Sequence, residues 1–210
     1  MRIILIGSPG SGKGTQAKIM SKKYNLPHIS CGDILRKQNK CCDINKLIKK
    51  GELINDKLVT NIVLEKLKNI NLFKGFILDG FPRTLYQANS IKENKIKIDY
   101  VLELFLQEKY IYERVLGRII DKVSGEIYHL KFNPPKFITE KSNKNKILVR
   151  RLDDKKSALQ KRINDFFKNS CLISEFYKKE SLEKKLKYKI INADFDINTI
   201  SNKIFNIINV

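Results

Sequence analysis

Apolar and polar positions along the chain mark out short buried strands alternating with amphipathic helices. Ile3 to Ile6 is apolar without a break and runs straight into Gly7, the pattern of a strand buried on both faces of a parallel sheet. From Thr15 to Tyr24 a helix is predicted, with Ala17, Ile19, Met20 and Tyr24 broadly on one side and Asn25-Leu26-Pro27 as its breaker. Pro27-His28-Ile29-Ser30 follows, and the next helical stretch opens with Ser30 or Asp33 as cap. Arg36 to Gly51 reads as short helices joined by a turn around Asp43, and a capped helix runs from about Asp56 to Asn69. Phe76 to Asp79 and Ile98 to Leu106 are further buried strands. The helix after the second covers Glu108 to Ile120, which puts Arg114 and Arg118 on one face, four residues apart.

Between Asp121 and Asp154 the texture changes. Ser124-Gly125 signals a hairpin, Glu126 to Lys131 alternates, Asn133-Pro134-Pro135 precludes helix, and a lysine- and asparagine-rich tip, EKSNKNK, follows. A long amphipathic helix then continues to about Glu180, Tyr188 to Ile191 forms the last strand and Asp196 to Ile208 the last helix. The pattern is that of an α/β protein, a parallel sheet flanked by helices with a small inserted mostly-β piece, and no tandem repeat interrupts it.

Where the first strand ends, Gly7, Gly10, Gly12 and Gly14 supply the φ angles and close backbone approach that let successive N–H groups turn around an anion. Lys13 adds a mobile cation, and the following helix points its unpaired N–H groups at the same spot. The motif G-x-x-x-x-G-K-[ST] is met at Gly7, Gly12 and Lys13, but Gly14 comes next and the hydroxyl arrives one later, at Thr15. The stretch reads as a phosphate cradle.

At 210 residues and 42% hydrophobic content the chain supports one sizeable core. No apolar run approaches the ~18 residues of a bilayer span, and Arg2 followed by IILI is too short for a signal-peptide core, so the expected location is cytoplasmic, without membrane contact. Cys31, Cys41, Cys42 and Cys171 form no C-x-x-C pair, and the only histidines, His28 and His129, do not lie at ligand spacing, which argues against disulfide and metal frameworks. His28 reads as a packed structural histidine, with no carboxylate beside it in the sequence. The net charge of +20 raises nucleic-acid binding, but the lysines are scattered through every segment among abundant Ile and Asn, so no dedicated nucleic-acid surface is expected.

The chain resembles the adenylate kinases. GSPGSGKGT at 7–15 is similar to the family's G-x-P-G-x-G-K-G-T, and SCGDILR at 30–36 to S-T-G-D-[ML]-[LF]-R, with Cys31 where Thr is usual. LDGFPRT at 78–84 is the family's most specific signature and is intact. Gly51-Glu52-Leu53-Ile54 is similar to G-x-L-V, SGEIYHLKFNPP at 124–135 to the S-G-R-x-Y-H-x-x-F-N-P-P of long lids, and Arg151-Leu152-Asp153-Asp154 to R-x-D-D. Ile119 departs from the usual G-R-R or G-R-[RW], and Asn192-Ala193-Asp194-Phe195 replaces the usual D-G-T loop.

The resemblance covers essentially the whole chain and implies a P-loop nucleoside monophosphate kinase fold. Its core would be 1–29, 55–116 and 155–210, with an AMP-binding subdomain at 30–54, shorter than in typical bacterial members, and a lid at 117–154. No cysteine lies between residues 43 and 170, so the four-cysteine zinc site of some relatives is not expected; side-chain hydrogen bonds or packing would hold the lid, with His129 as lid structure. By resemblance ATP meets Gly10, Ser11, Gly12, Lys13, Gly14, Thr15, Arg114, Arg118, Ile127, Tyr128 and the backbone of Phe195. AMP meets Cys31, Arg36, Glu52, Leu53, Ile54, Gly80, Phe81, Pro82, Arg83, Gln87, Arg151 and Arg162. Lys13, Arg83, Arg118, Arg151 and Arg162 would neutralise the transferring group, Asp153 and Asp154 orient the arginine-bound phosphates, and Asp79 orient water on Mg2+ bound through ATP. The expected reaction is ATP + AMP ⇌ 2 ADP, in a monomer, with no protein-bound metal. Alternatives are another nucleoside monophosphate kinase, GTP:AMP or UMP/CMP, or a basic nucleic-acid-binding protein on a P-loop fold.

Overall fold

The computed structural model describes residues 1–37, 42–52, 54–70, 72, 74–135 and 147–209, with the backbone alone at 42–45. Residues 38–41, Leu53, Phe73 and the EKSNKNK tip of the sequence reading lie outside the described residues.

A five-stranded parallel sheet in the order β2-β3-β1-β4-β8 forms the centre. Its strands are β1 (Arg2–Gly7), β2 (His28–Ser30), β3 (Phe76–Asp79), β4 (Tyr100–Phe105) and β8 (Lys187–Asn192). The unbroken apolar run of β1 has the expected consequence. Ile4 and Ile6 pack into one layer with Phe76, Leu78 and Val101, while Ile3 and Leu5 pack into the other with Ile77, Leu102 and Leu104, all buried. Helices α1 (Lys13–Tyr24), α6 (Glu108–Leu116) and α8 (Ile197–Ile208) close the second layer through Met20, Ile111 and Ile204. Helices α2 (Cys31–Lys37), α4 (Asp56–Lys68) and α5 (Leu85–Glu93) close the first through Leu35, Val63 and Ile91. The 27-residue α7 (Lys156–Leu182) serves both, Leu159 and Ile163 in one and Ile173 and Tyr177 in the other.

A separate antiparallel sheet, β6-β5-β7, joins β5 (Arg118–Asp121), β6 (Ile127–His129) and β7 (Leu148–Val149). Asp121 is 1% exposed and accepts hydrogen bonds from the Val123 N–H (3.0 Å) and Ser124 Oγ (2.7 Å), which fixes the hairpin. His129 ties the other end: Nε2 lies 3.1 Å from the Glu113 carbonyl, and Nδ1 accepts from the N–H groups of Lys131 and Phe132, both at 3.0 Å. A 3-10 turn, Leu152–Asp154, returns the chain to α7.

Two expectations change and one open choice is decided. The helix after β4 stops at Leu116 with Gly117 as its C-cap, so Arg118 is the first residue of β5 and does not share a helix face with Arg114. Asp43 lies inside α3 (Cys42–Lys50), not in a turn. Ser30 caps α2 by accepting from the Asp33 N–H at 3.3 Å, which leaves the Asp33 carboxylate for other partners.

Candidate active site

The carboxyl ends of the parallel strands, where α/β sheets gather ligands, open into a cleft of about 780 Å3. Its floor is the glycine loop. Gly10 and Gly12 have φ of +80° and +88°, and α1 begins at Lys13 with its free N–H groups turned toward the cleft. Gly14 also has a steric reason: a Cβ there would stand 3.2 Å from Asp79 Oδ2 and 3.8 Å from Ile127 Cδ1. The glycine in place of the usual Ser or Thr lets the acid of β3 and the Ile127 side chain of β6 approach the loop.

Lys13 Nζ donates to the carbonyls of Gly7 (2.7 Å) and Ser8 (2.8 Å) and to Ser11 Oγ (3.3 Å). Burial pushes its pKa down to about 7; Asp79 opposes the shift, while Arg83, Arg162 and Arg118 add to it. A buried ammonium among arginines is what a polyphosphate would relieve.

Across the cleft, Arg118 makes a bidentate pair with Asp154, Nε to Oδ2 at 2.8 Å and Nη2 to Oδ1. Arg162 Nη1 reaches the Asp153 carbonyl (3.0 Å), Asp153 Oδ2 (3.1 Å) and Asp154 Oδ1 (3.2 Å). Arg36 donates to Asp33 Oδ1 at 2.6 Å and lies 3.8 Å from Asp153, while Arg151 lies 3.9 Å from Asp33. Burial alone would raise the Asp153 carboxyl, but Arg162, Arg36, Arg151 and Arg118 together hold it below the usual range. Burial lowers Arg151 to about 10, with Arg118 and Arg36 contributing in the same direction. Arg83 Nε donates to the Gly80 carbonyl at 2.9 Å, fixing the guanidinium over the turn that follows β3.

Most of the sequence-predicted residues line this one cleft: Gly10, Gly12, Lys13, Gly14, Thr15, Arg114, Arg118, Ile127, Tyr128 and Phe195 on the expected ATP side. On the AMP side Cys31, Arg36, Glu52, Ile54, Gly80, Pro82, Arg83, Gln87, Arg151 and Arg162 do so, and Asp79 lies between the two groups. Two side chains do not reach it. Ser11 is 0% exposed within the loop, and Phe81 is 0% exposed within the core layer of α4 and α5, so neither lines the cleft. Gln87 is held from both ends: its Oε1 accepts from the Arg83 N–H at 2.7 Å and its Nε2 donates to Asp56 at 2.8 Å. Cys31 is buried, and burial raises its thiol pKa against the pull of Arg83.

The sequence reading missed several neighbours. His28 does have a carboxylate beside it, Asp79 at 3.3 Å, because parallel pairing sets Ser30 opposite Asp79. Glu52 pairs with Lys161 at 2.9 Å, linking the loop after α3 to α7. Lys18 of α1 donates to the Gly125 carbonyl, joining the β5–β6 hairpin to α1. Among the described residues no three His, Cys, Asp or Glu side chains cluster as a metal site.

The adenylate kinase family profile matches residues 5–182. The chain belongs to the adenylate kinase family. It is similar to the adenylate kinase of Buchnera aphidicola subsp. Schizaphis graminum, 42% identical over 97% of this chain and 98% of that one. It also resembles those of Blochmanniella pennsylvanica and of Hamiltonella defensa, each 38% identical over 99% of both chains. The match does not favour the nucleic-acid-binding alternative. No helix among the described residues is long and apolar enough to cross a membrane.

Proposed function

We propose that the cleft holds ATP and AMP end to end and that the chain acts as an ATP:AMP phosphotransferase, ATP + AMP ⇌ 2 ADP. The observation that carries this reading is the convergence of Lys13, Arg83, Arg118, Arg151 and Arg162 on one cleft between the glycine loop and the LDGFPRT turn. Phosphoryl transfer needs in-line positioning and charge neutralisation more than covalent help from the protein. The AMP phosphate, with a second pKa of ~6, is already ionised near neutrality, so no general base is required.

The glycine-loop N–H groups and Lys13 receive the ATP phosphates. Arg83, with Arg36, takes the AMP phosphate, and Arg118, Arg151 and Arg162 surround the group in transit. Asp33, Asp153 and Asp154 orient these arginines before substrate arrives, as their short contacts support. Mg2+ enters with ATP as part of the substrate and supplies charge neutralisation at the phosphate oxygens. Asp79 fits a role toward it: its side-chain hydrogen-bond partner among the described residues is His28 at 3.3 Å, which leaves carboxylate lone pairs for metal-bound water. The units 1–29, 55–116 and 155–210, 30–54 and 117–154 would serve as core, AMP lobe and lid, the lid excluding water. A cytoplasmic monomer with a zinc-free lid of the long type completes the reading.

The test is ADP formation from Mg-ATP with AMP, GMP, UMP and CMP offered separately. AMP as strongly preferred acceptor supports the reading, and Lys13→Ala or Arg83→Ala should abolish most activity with an unchanged circular dichroism spectrum. Preference for another acceptor, or near-normal rates in either variant, would overturn it.

A further inference from the structure

The amino ends of β4 and β8, at the opposite end of the sheet from the cleft, border a second cavity of about 310 Å3, and none of its lining residues lines the cleft. It lies where α5 and α7 end. Ala88 and Ile91 of α5, Phe176 of α7, and Ile96, Ile98 and Leu186 from the segments leading into β4 and β8 make its apolar wall, continuous with the first core layer. Past the C-cap Asn94 the chain alternates: Ile96 and Ile98 pack inward, while Lys95 and Lys97 line the cavity and stay exposed. Lys95 takes a φ of +54° there, in the left-handed region that glycine or asparagine usually fills.

The polar groups of the cavity fall into two sets. Glu180, 8% exposed, is paired with Lys92 at 2.8 Å and with Lys185 at 3.6 Å, so its charge is answered within the chain. Lys95 and Lys97 have no carboxylate partner among the described residues, and the buried Tyr177 hydroxyl, in the same wall, has no hydrogen-bond partner among them. Each group left over can donate, and none of them is a carboxylate. The cavity therefore complements an acceptor. No arginine and no helix N-terminus borders it, so nothing seats the several oxygens of a phosphate. The partial negative charge at the ends of α5 and α7 also disfavours a dianion. A single carboxylate, held by ammonium groups on flexible stems, meets both conditions. Ligand cavities run upward from about 300 Å3, so the occupant is small.

We propose that this cavity binds a small carboxylate with an apolar body, of the class of the medium-chain fatty acids. Its chain lies against Ile91, Ile98 and Phe176, and its carboxylate meets Lys95 and Lys97. The site is separate from the nucleotide reading of the cleft and does not depend on it. Each methylene buried tightens binding about three- to fourfold until the wall is covered.

Calorimetric titration of the full chain with sodium hexanoate, heptanoate and octanoate tests this, with octylammonium chloride as the probe of opposite charge. The variants are Lys95→Glu/Lys97→Glu and, on α4 outside the cavity, Lys66→Glu/Lys68→Glu, which changes the net charge equally. Affinity is expected to rise about threefold with each added methylene. Octylammonium should bind at least about tenfold more weakly than octanoate. Lys95→Glu/Lys97→Glu should weaken octanoate by at least about tenfold, and Lys66→Glu/Lys68→Glu by less than about twofold. Amide chemical-shift changes on adding octanoate should centre on Ile91, Ile98 and Leu186, and saturating Mg-ADP should leave octanoate bound. Equal losses in the two variants, affinity independent of chain length, or displacement of octanoate by Mg-ADP would overturn the inference.

Discussion

Gly51 is where the AMP-side loop rests on α7, and its replacement by alanine separates two costs. Its φ is +71°, and a Cβ there would stand 2.2 Å from the Ala158 carbonyl oxygen and 2.8 Å from the carbonyl carbon. Both are backbone atoms in the first turn of α7, so no rotamer change relieves the overlap. Gly125 supplies the control: its φ is +68°, but a Cβ there meets nothing within 4 Å. Gly125→Ala measures the left-handed conformation alone, about 1–2 kcal/mol. Gly51→Ala carries that cost plus overpacking of about 1–3 kcal/mol. In a domain of 210 residues each kcal/mol shifts Tm by about 2–4 °C, which gives a loss of about 10 °C for Gly51→Ala against about 4 °C for Gly125→Ala. To escape the contact, α3 must move off α7 by about 1 Å, carrying Glu52 away from Lys161 and shifting Ile54 at the cleft. KM for AMP should then rise about tenfold while KM for ATP stays within about twofold. Thermal unfolding and steady-state kinetics on the two variants check this. Equal Tm shifts, or an unchanged KM for AMP in Gly51→Ala, would refute the close packing of this lobe against α7.

Three further outcomes follow from buried groups. Lys13, near 7 in the folded protein against an ordinary 10.5, is proton-poor between those pH values relative to the unfolded chain, so its contribution makes stability rise with pH across that window. Polyphosphate should return the proton: at pH 8 ATP binding takes up about 0.9 proton, read by calorimetry in buffers of different ionisation enthalpy, and Lys13→Gln takes up none. The Tyr177 hydroxyl is buried without a hydrogen-bond partner among the described residues, so Tyr177→Phe should leave Tm unchanged or slightly raised, and a fall above about 4 °C would contradict this. Asp121→Ala orphans the Val123 N–H and Ser124 hydroxyl, and hydrogen exchange should speed up in β5 and β6 while β1 and β4 stay protected.

The strands and the cradle were legible because they rest on local patterns. A short, mostly β-branched apolar run such as Ile3–Ile6 that ends in glycine fits a doubly covered strand, and four glycines around a lysine leave few other uses. What failed was either a stop signal passed over or a contact made across the fold. Gly117 marks the end of α6, yet the four-residue spacing of Arg114 and Arg118 carried the predicted helix through it. His28 seemed to lack a carboxylate because Asp79 arrives from β3, 51 residues away, and only the register of the parallel pair reveals it. Of the two cap candidates Ser30 takes the role and Asp33 holds Arg36 and Arg151, while Glu52 finds Lys161 109 residues on. Gln87 was read toward AMP from the resemblance, but its amide is also a strut between Arg83 and Asp56. The residues that carry charge were thus visible, whereas the partners that orient them depend on tertiary pairing.

The central claim is direct transfer between two nucleotides in a cleft closed to water. The measurement that meets it most directly follows AMP, ADP and inorganic phosphate together in a reaction started with Mg-ATP and AMP. Two ADP should form for each AMP consumed, with no phosphate above the enzyme-free rate. Phosphate appearing in step with ADP, or ADP forming at the same rate without AMP, would contradict it.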